Sequence, residues 1–116
     1  MTTSPPASAN RPPLPDLRHA TVTIDDAGVT TVGIAQAGPL NLLGSAVIND
    51  LTAAFAALHS RTDVRVVILR GTGERAFVAG ADIQEMSLLD RKSGEAFITR
   101  LRNLCHAVHH FPVPVI

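Results

Sequence analysis

The chain has 116 residues, 46% of them hydrophobic and 17% charged, with ten basic side chains balancing ten acidic ones. That is one small domain's worth of core-forming material, too apolar for disorder throughout and without the surplus positive charge that gathers nucleic acid or an anionic membrane surface. A single cysteine, Cys105, excludes an internal disulfide and points to a reducing, cytoplasmic setting; no apolar run is long enough to read as a spanning helix, and none follows a basic start as a secretory signal would.

Residues 1–17 hold five of the eight prolines among Ser, Thr and Ala, and read as a flexible leader ahead of a folded region at 18–116. From Ala20 the apolar period is two. Val22 and Ile24 alternate with Thr21, Thr23 and Asp25, Asp26-Ala27-Gly28 turns the chain, and Val29, Val32 and Ile34 follow, which predicts a β-hairpin. Gly38-Pro39 breaks the pattern, Leu40 to Leu43 crosses to Gly44-Ser45, and Ser45 is placed to cap a helix. Val47, Ile48, Leu51, Phe55 and Leu58 then recur at helical spacing on one stripe. Val64 to Leu69 is almost continuously apolar and β-branched, as in a strand covered on both faces.

Beyond that strand lie a Gly-rich loop (Gly71 to Arg75), the short apolar piece Phe77-Val78, and Ala79-Gly80-Ala81-Asp82. Asp82 and Glu85 have the spacing of a capping box opening a short helix. A longer helix is predicted from about Ser93 to His109, with Phe97, Ile98, Leu101, Leu104, Cys105 and Val108 on its apolar face. The order of hairpin, helix, strand, helix and strand argues an α/β layer structure. The apolar run Phe111 to Ile116 reads as a strand entering a core; since chain ends are usually solvated, the sequence is expected to be a portion of a larger domain.

Three candidate sites follow. Gly71-x-Gly73-x-x-Ala76 after a strand has the outline of a dinucleotide fingerprint, but Phe77 to Gly80 interrupts at once where a long helix should open, so it reads as a solvated turn. His106, His109 and His110 beside Cys105 have ligand-like spacing, yet histidines at a helix C-terminus complement its exposed carbonyls, and no metal is assigned. Cys105, on an aliphatic stripe, is expected to stay a protonated thiol. The third candidate, Ala79-Gly80-Ala81, puts three small residues where a strand gives way to a helix; small side chains there leave backbone N–H groups open to a ligand, and a helix N-terminus favours negative charge. From the residues alone a tight corner explains them equally well.

The stretch Phe77-Val78-Ala79-Gly80-Ala81-Asp82-Ile83, after the Val66-to-Leu69 strand and the Gly71-x-Gly73 loop, resembles the signature of the enoyl-CoA hydratase/isomerase, or crotonase, superfamily. The resemblance runs from about Val22 to Ile116 and is supported by Pro39 to Leu43, Asn49 to Leu51, and Pro112 to Ile116. It implies a crotonase-like spiral of β-β-α units binding an acyl-CoA thioester, with the Ala81 N–H as one of two backbone donors to the thioester oxygen. Ala79, Gly80, Asp82, Ile83 and Gln84 would line the path of the coenzyme. The implied reaction is addition of water to a 2-trans-enoyl-CoA, with double-bond isomerisation, another CoA-thioester lyase reaction or a non-catalytic CoA-binding module as alternatives. It implies no cofactor beyond the coenzyme A of the substrate, and a homotrimer or dimer of trimers. The chain departs from the family at Gly38-Pro39 and Gln84, where a Lys often stands, which leaves Arg75 as a candidate for the CoA phosphates. The acid and base of hydration are expected in sequence not contained in these residues.

Overall fold

A computed structural model describes residues 13–116. The hairpin forms as its alternation demands: β1 (Ala20–Ile24) and β2 (Val29–Ile34) are antiparallel, with Val22 opposite Val32. Its turn is held by the Asp25 carboxylate, which accepts the N–H groups of Ala27 and Val29 at 2.9 Å each. After the crossover come α1 (Ser45–His59) and β3 (Val66–Gly71), which lies parallel to β2 with Val32 beside Leu69. The short α2 (Ile83–Met86) and the long α3 (Arg91–His109) follow. The last residues then return to the sheet, where Val115 bridges Val67 in parallel and β3 gains a neighbour on its far side.

Register decides which face is buried. Ala20, Val22 and Ile24 share a face with Thr30, Val32 and Ile34 and with Val67, Leu69 and Gly71, and that face packs beneath α1 and α3. The stripe expected on α1 is fully buried there, joined by Ala54. Burying a side chain of this size contributes about 1.5–3 kcal/mol, so this one helix anchors much of the layer. The sheet's other face carries Thr21, Thr23, Ile68 and Arg70, with Ile68 37% exposed, so the strand read as covered on both sides has one face open among the described residues. Its bounds also lie two residues later than predicted, because the Arg65 and Val66 N–H groups go to the Gly28 carbonyl of the hairpin turn.

Helix α3 starts two residues earlier than predicted. Asp90 caps it in a full capping box, its carboxylate accepting the Ser93 N–H at 2.8 Å while the Ser93 hydroxyl accepts the Asp90 N–H. The Ser93 N–H and hydroxyl hold the Asp90 carboxyl below its ordinary range, so the cap acts fully at neutral pH and is lost as acid protonates Asp90. Phe97 and Leu104 are buried, whereas Ile98 and Cys105 of the predicted stripe are exposed. Of the proposed leader, residues 1–12 lie outside the described residues, and Leu14 and Leu17 pack against the core.

One group in this layer is poorly satisfied. Thr30 is 0% exposed between Ile24 and Val67, and its hydroxyl has no hydrogen-bond partner among the described residues. A buried unpaired hydroxyl costs roughly 1–3 kcal/mol. Thr30→Val keeps the branched shape and removes the orphan, and should raise stability by about 1 kcal/mol. Urea unfolding checks this: the midpoint should move up at constant slope, and a lower midpoint refutes it.

Candidate functional site

The segment after β3 is placed by the crossover that precedes α1. Residues Leu40 to Leu43 form a bed on which Ala79 to Asp82 lies. The Ala79 N–H donates to the Leu40 carbonyl at 3.0 Å, the Leu43 N–H to the Gly80 carbonyl at 2.9 Å, and the Asp82 N–H to the Leu43 carbonyl at 3.1 Å. These bonds make a parallel bridge between Leu43 and Ala81. In such a bridge the central residue's own N–H and C=O point away from the partner strand. The Ala81 N–H accordingly has no acceptor among the described residues, nor does that of Gly80. Gly80 makes the turn possible: its φ of 139° lies where a side chain would strain the backbone.

The predicted site residues are contiguous but differently disposed. Gly80, Ala81 and Asp82 are half-buried, while Ala79, Gln84 and Ile83 are exposed, Ile83 by 77%. Asp82 caps α2, its carboxylate accepting the Glu85 N–H at 3.2 Å. The other half of the expected capping box is absent, because Glu85 reaches elsewhere: its carboxylate accepts the Ser45 N–H at 2.8 Å. The first N–H of α1 is therefore satisfied by an acid forty residues away. Ser45 is the first helical residue rather than the cap; Gly44 holds the cap position and supplies no side chain. Only α2's single turn follows Asp82, so the helix-dipole support expected for an anion at this corner is small. What the corner offers is an unpaired backbone donor.

Around it, an apolar hollow of about 370 Å³ lies between α1, α3 and the Phe77-Val78 piece, lined among others by Leu43, Leu69, Leu101 and Cys105. A second hollow of about 440 Å³ is shared by Asp82 and Glu85 with His19, Gln36 and Ser45. Thr72 to Arg75 form the exposed part of the turn that the sequence suggested, while Gly71 at its start is buried and Ala76 at its end half-buried. At the end of α3 the His106 and His110 rings stack with centroids 4.1 Å apart, and no group of three His, Cys, Asp or Glu side chains among the described residues is arranged to hold a metal.

Two residues that sequence reasoning missed organise this site. Glu85 was seen only as a local cap; the signal for its longer reach is that α1 has no acid in its first turn. Asn41 was read only as part of a motif. It is 0% exposed, and its amide donates to the carbonyls of Thr72 at 3.0 Å and Ala76 at 2.8 Å, closing the loop whose far end leads into Phe77.

Comparison with known proteins bears on the family and the fold. The sequence profile of the enoyl-CoA hydratase/isomerase family matches residues 29–116. The chain is 30% identical over 102 residues to the mitochondrial enoyl-CoA hydratase domain-containing protein 2 of Mus musculus, covering 88% of this chain and 34% of that protein. It is 36% identical over 69 residues to the short-chain-enoyl-CoA hydratase of Clostridium acetobutylicum, covering 60% of this chain and 26% of that one. Among solved structures, an enoyl-CoA hydratase from Mycobacterium smegmatis superposes with a TM-score of 0.78 at 31% identity, over 84% of this chain and 38% of that one. The chain belongs to the enoyl-CoA hydratase/isomerase family and has the crotonase fold over the part it covers. It spans about a third of the length of the curated relatives it matches.

Removing the Glu85 carboxylate strips α1 of the side-chain acceptor that caps its first N–H. Glu85→Ala should lower stability by about 1 kcal/mol, and Glu85→Gln, which keeps an acceptor, by less. Gly44→Ala should approach the loss in Glu85→Ala, since a Cβ there would press on the same carboxylate oxygen at 2.7 Å. Thermal unfolding of the three variants checks the order; equal stability of Glu85→Ala and the parent refutes the cap.

Proposed function

We propose that this chain holds the thioester of an enoyl-CoA substrate in a hydratase-type reaction, with the Ala81 N–H as a donor to the thioester oxygen. The observation that carries the reading is the unpaired N–H of Ala81, left open with that of Gly80 between the engaged amides of Ala79 and Asp82. In hydration, water oxygen bonds to the β-carbon of the 2-trans-enoyl group as water gives up a proton, the double-bond electrons move toward the carbonyl, and a proton is then delivered to the α-carbon. Negative charge sits on the thioester oxygen only while the enolate exists, so a fixed donor aimed there lowers the barrier selectively.

Asp82 and Glu85 are the carboxylates nearest the turn, and both are engaged in capping, so the reading assigns neither to proton transfer. The chain's part is to bind and polarise. Ala79, Gly80, Asp82, Ile83 and Gln84 border the coenzyme's path in this reading, and exposed Arg75, beside Arg70 around a hollow of about 440 Å³, is a phosphate contact. The same turn would serve a double-bond shift, which differs only in where the proton returns. The reading takes coenzyme A as part of the substrate, with no separate cofactor and with a homotrimer or dimer of trimers as the assembly. It keeps the cytoplasm as the setting, though relatives from mouse and human carry "mitochondrial" in their names.

The test uses the four-carbon 2-trans-butenoyl-CoA labelled with ¹³C at the thioester carbonyl. On binding, the carbonyl resonance should shift, and in ¹⁵N-labelled chain the Ala81 amide should move more than those of Ala79 and Asp82. Ala81→Pro removes the donor, so the carbonyl shift should vanish and any hydration rate should fall by roughly 10²- to 10³-fold. A bound thioester with an unshifted carbonyl overturns the reading.

A further inference from the structure

Asn41 combines three features that each cost free energy. It is a non-glycine residue with a φ of 51°, it is completely buried, and its side-chain carbonyl has no hydrogen-bond partner among the described residues. A residue needed only to turn the chain would sit at the surface, as Gly38 does three residues earlier with a φ of 77° and open space around it. Features of this kind persist where the surrounding structure holds them in place for a purpose.

What Asn41 gains is confined to its amide nitrogen, which donates to Thr72 and Ala76 at the two ends of the loop after β3. Its own N–H closes the Gly38-to-Asn41 turn at 3.2 Å, and Leu40 before it and Leu43 two residues after it carry the bonds to Ala79, Gly80 and Asp82. One side chain thus fixes where the chain enters Phe77, at the same place where the backbone fixes how it leaves through Asp82. Between those two constraints the direction of the Ala81 N–H has little freedom. A donor to a developing oxyanion is useful only within about half an ångström and 10–20° of the productive geometry.

We infer that Asn41 is a positioning residue: by clamping the Thr72 and Ala76 carbonyls it aims the Ala81 N–H at the ligand oxygen, an inference that rests on the oxyanion reading above. It touches no substrate atom. Its loss should spoil polarisation of the thioester more than binding of the coenzyme.

The test compares the unsubstituted chain with Asn41→Gly, which keeps the left-handed backbone and deletes the amide. A core truncation remote from the turn, Val64→Ala, controls for simple loss of stability. The probe is again ¹³C-carbonyl 2-trans-butenoyl-CoA, read both as affinity and as carbonyl shift. Asn41→Gly should bind with little change in affinity and lose the carbonyl shift, while Val64→Ala keeps both. A carbonyl shift that survives intact in Asn41→Gly overturns the positioning role and leaves the oxyanion reading standing. No shift in the unsubstituted chain overturns that reading, and this inference falls with it. If Asn41→Gly does not fold, ¹⁵N order parameters of the unsubstituted chain decide: values near 0.85 at Thr72, Ala76 and Ala81 support the clamp, and values below about 0.6 at all three overturn it.

Discussion

Backbone polar groups brought under cover must find partners, and the crossover from β2 to α1 meets that requirement with the segment that follows β3. Neither stretch is regular enough to satisfy itself. Leu40 and Leu43 lend carbonyls to Ala79 and Asp82, Leu43 takes the carbonyl of Gly80, and the Asn41 side chain takes two more from the loop. An unpaired buried backbone group costs about as much as a lost hydrogen bond, so this cross-linking is what lets two irregular stretches pack together at all. The Glu85 carboxylate extends the same bargain to the N-terminus of α1. Sheet, crossover, corner and helix are thereby one connected polar network laid over an apolar layer.

The chemistry proposed for the corner is a by-product of that geometry. In a parallel bridge the partner strand engages the C=O before and the N–H after the central residue, whose own N–H and C=O face away. Because Leu43 pairs with Ala81 itself, the Gly80 C=O and the Asp82 N–H on either side are engaged and the Ala81 N–H is left over. A register slip of one residue would present a different amide on the other side of the chain. Here register does in a loop what it does in the sheet: it chooses which groups face outward. The left-handed φ of Gly80 is what allows the ladder to run through a bend, so the small residues are needed by the backbone whether or not a ligand is present.

Much of this could be read beforehand, and the limits follow from range. The hairpin, α1 and its buried stripe are local patterns of period two and 3.6, visible in Val22, Ile24 and in Val47 to Leu58 without any tertiary knowledge. The family signature at Phe77 to Ile83 located the corner. Three local inferences failed because a distant group intervened. Ser45 looked like a cap, but Glu85 supplies the acceptor; Asp82 and Glu85 looked like a reciprocal pair, but one of them is spent on another helix; and Cys105 looked buried, but Phe97 and Leu104 are the buried members of its stripe, with Leu101 and Val108 packed beside them. Asn41 shows the same limit most clearly, since its partners lie 31 and 35 positions away and nothing in its neighbourhood announces them.

A site made of backbone amides constrains sequence in an unusual way. Any residue but proline supplies an N–H, so Ala81 is needed for its small size and not for a functional group. The demanding positions are the ones that hold the path: a glycine able to adopt the φ of Gly80, an amide able to bridge two carbonyls at Asn41, and an acid able to reach the Ser45 N–H. In the proposed reading such a corner tolerates change at most other positions and suits a ligand with an oxygen that gains charge. It does not select among reactions that pass through such an oxygen. That selection belongs to side chains that move protons at the neighbouring carbons, so the proposed role of the corner is common to hydration and double-bond shift, and the disposition of acids around a bound thioester would distinguish them.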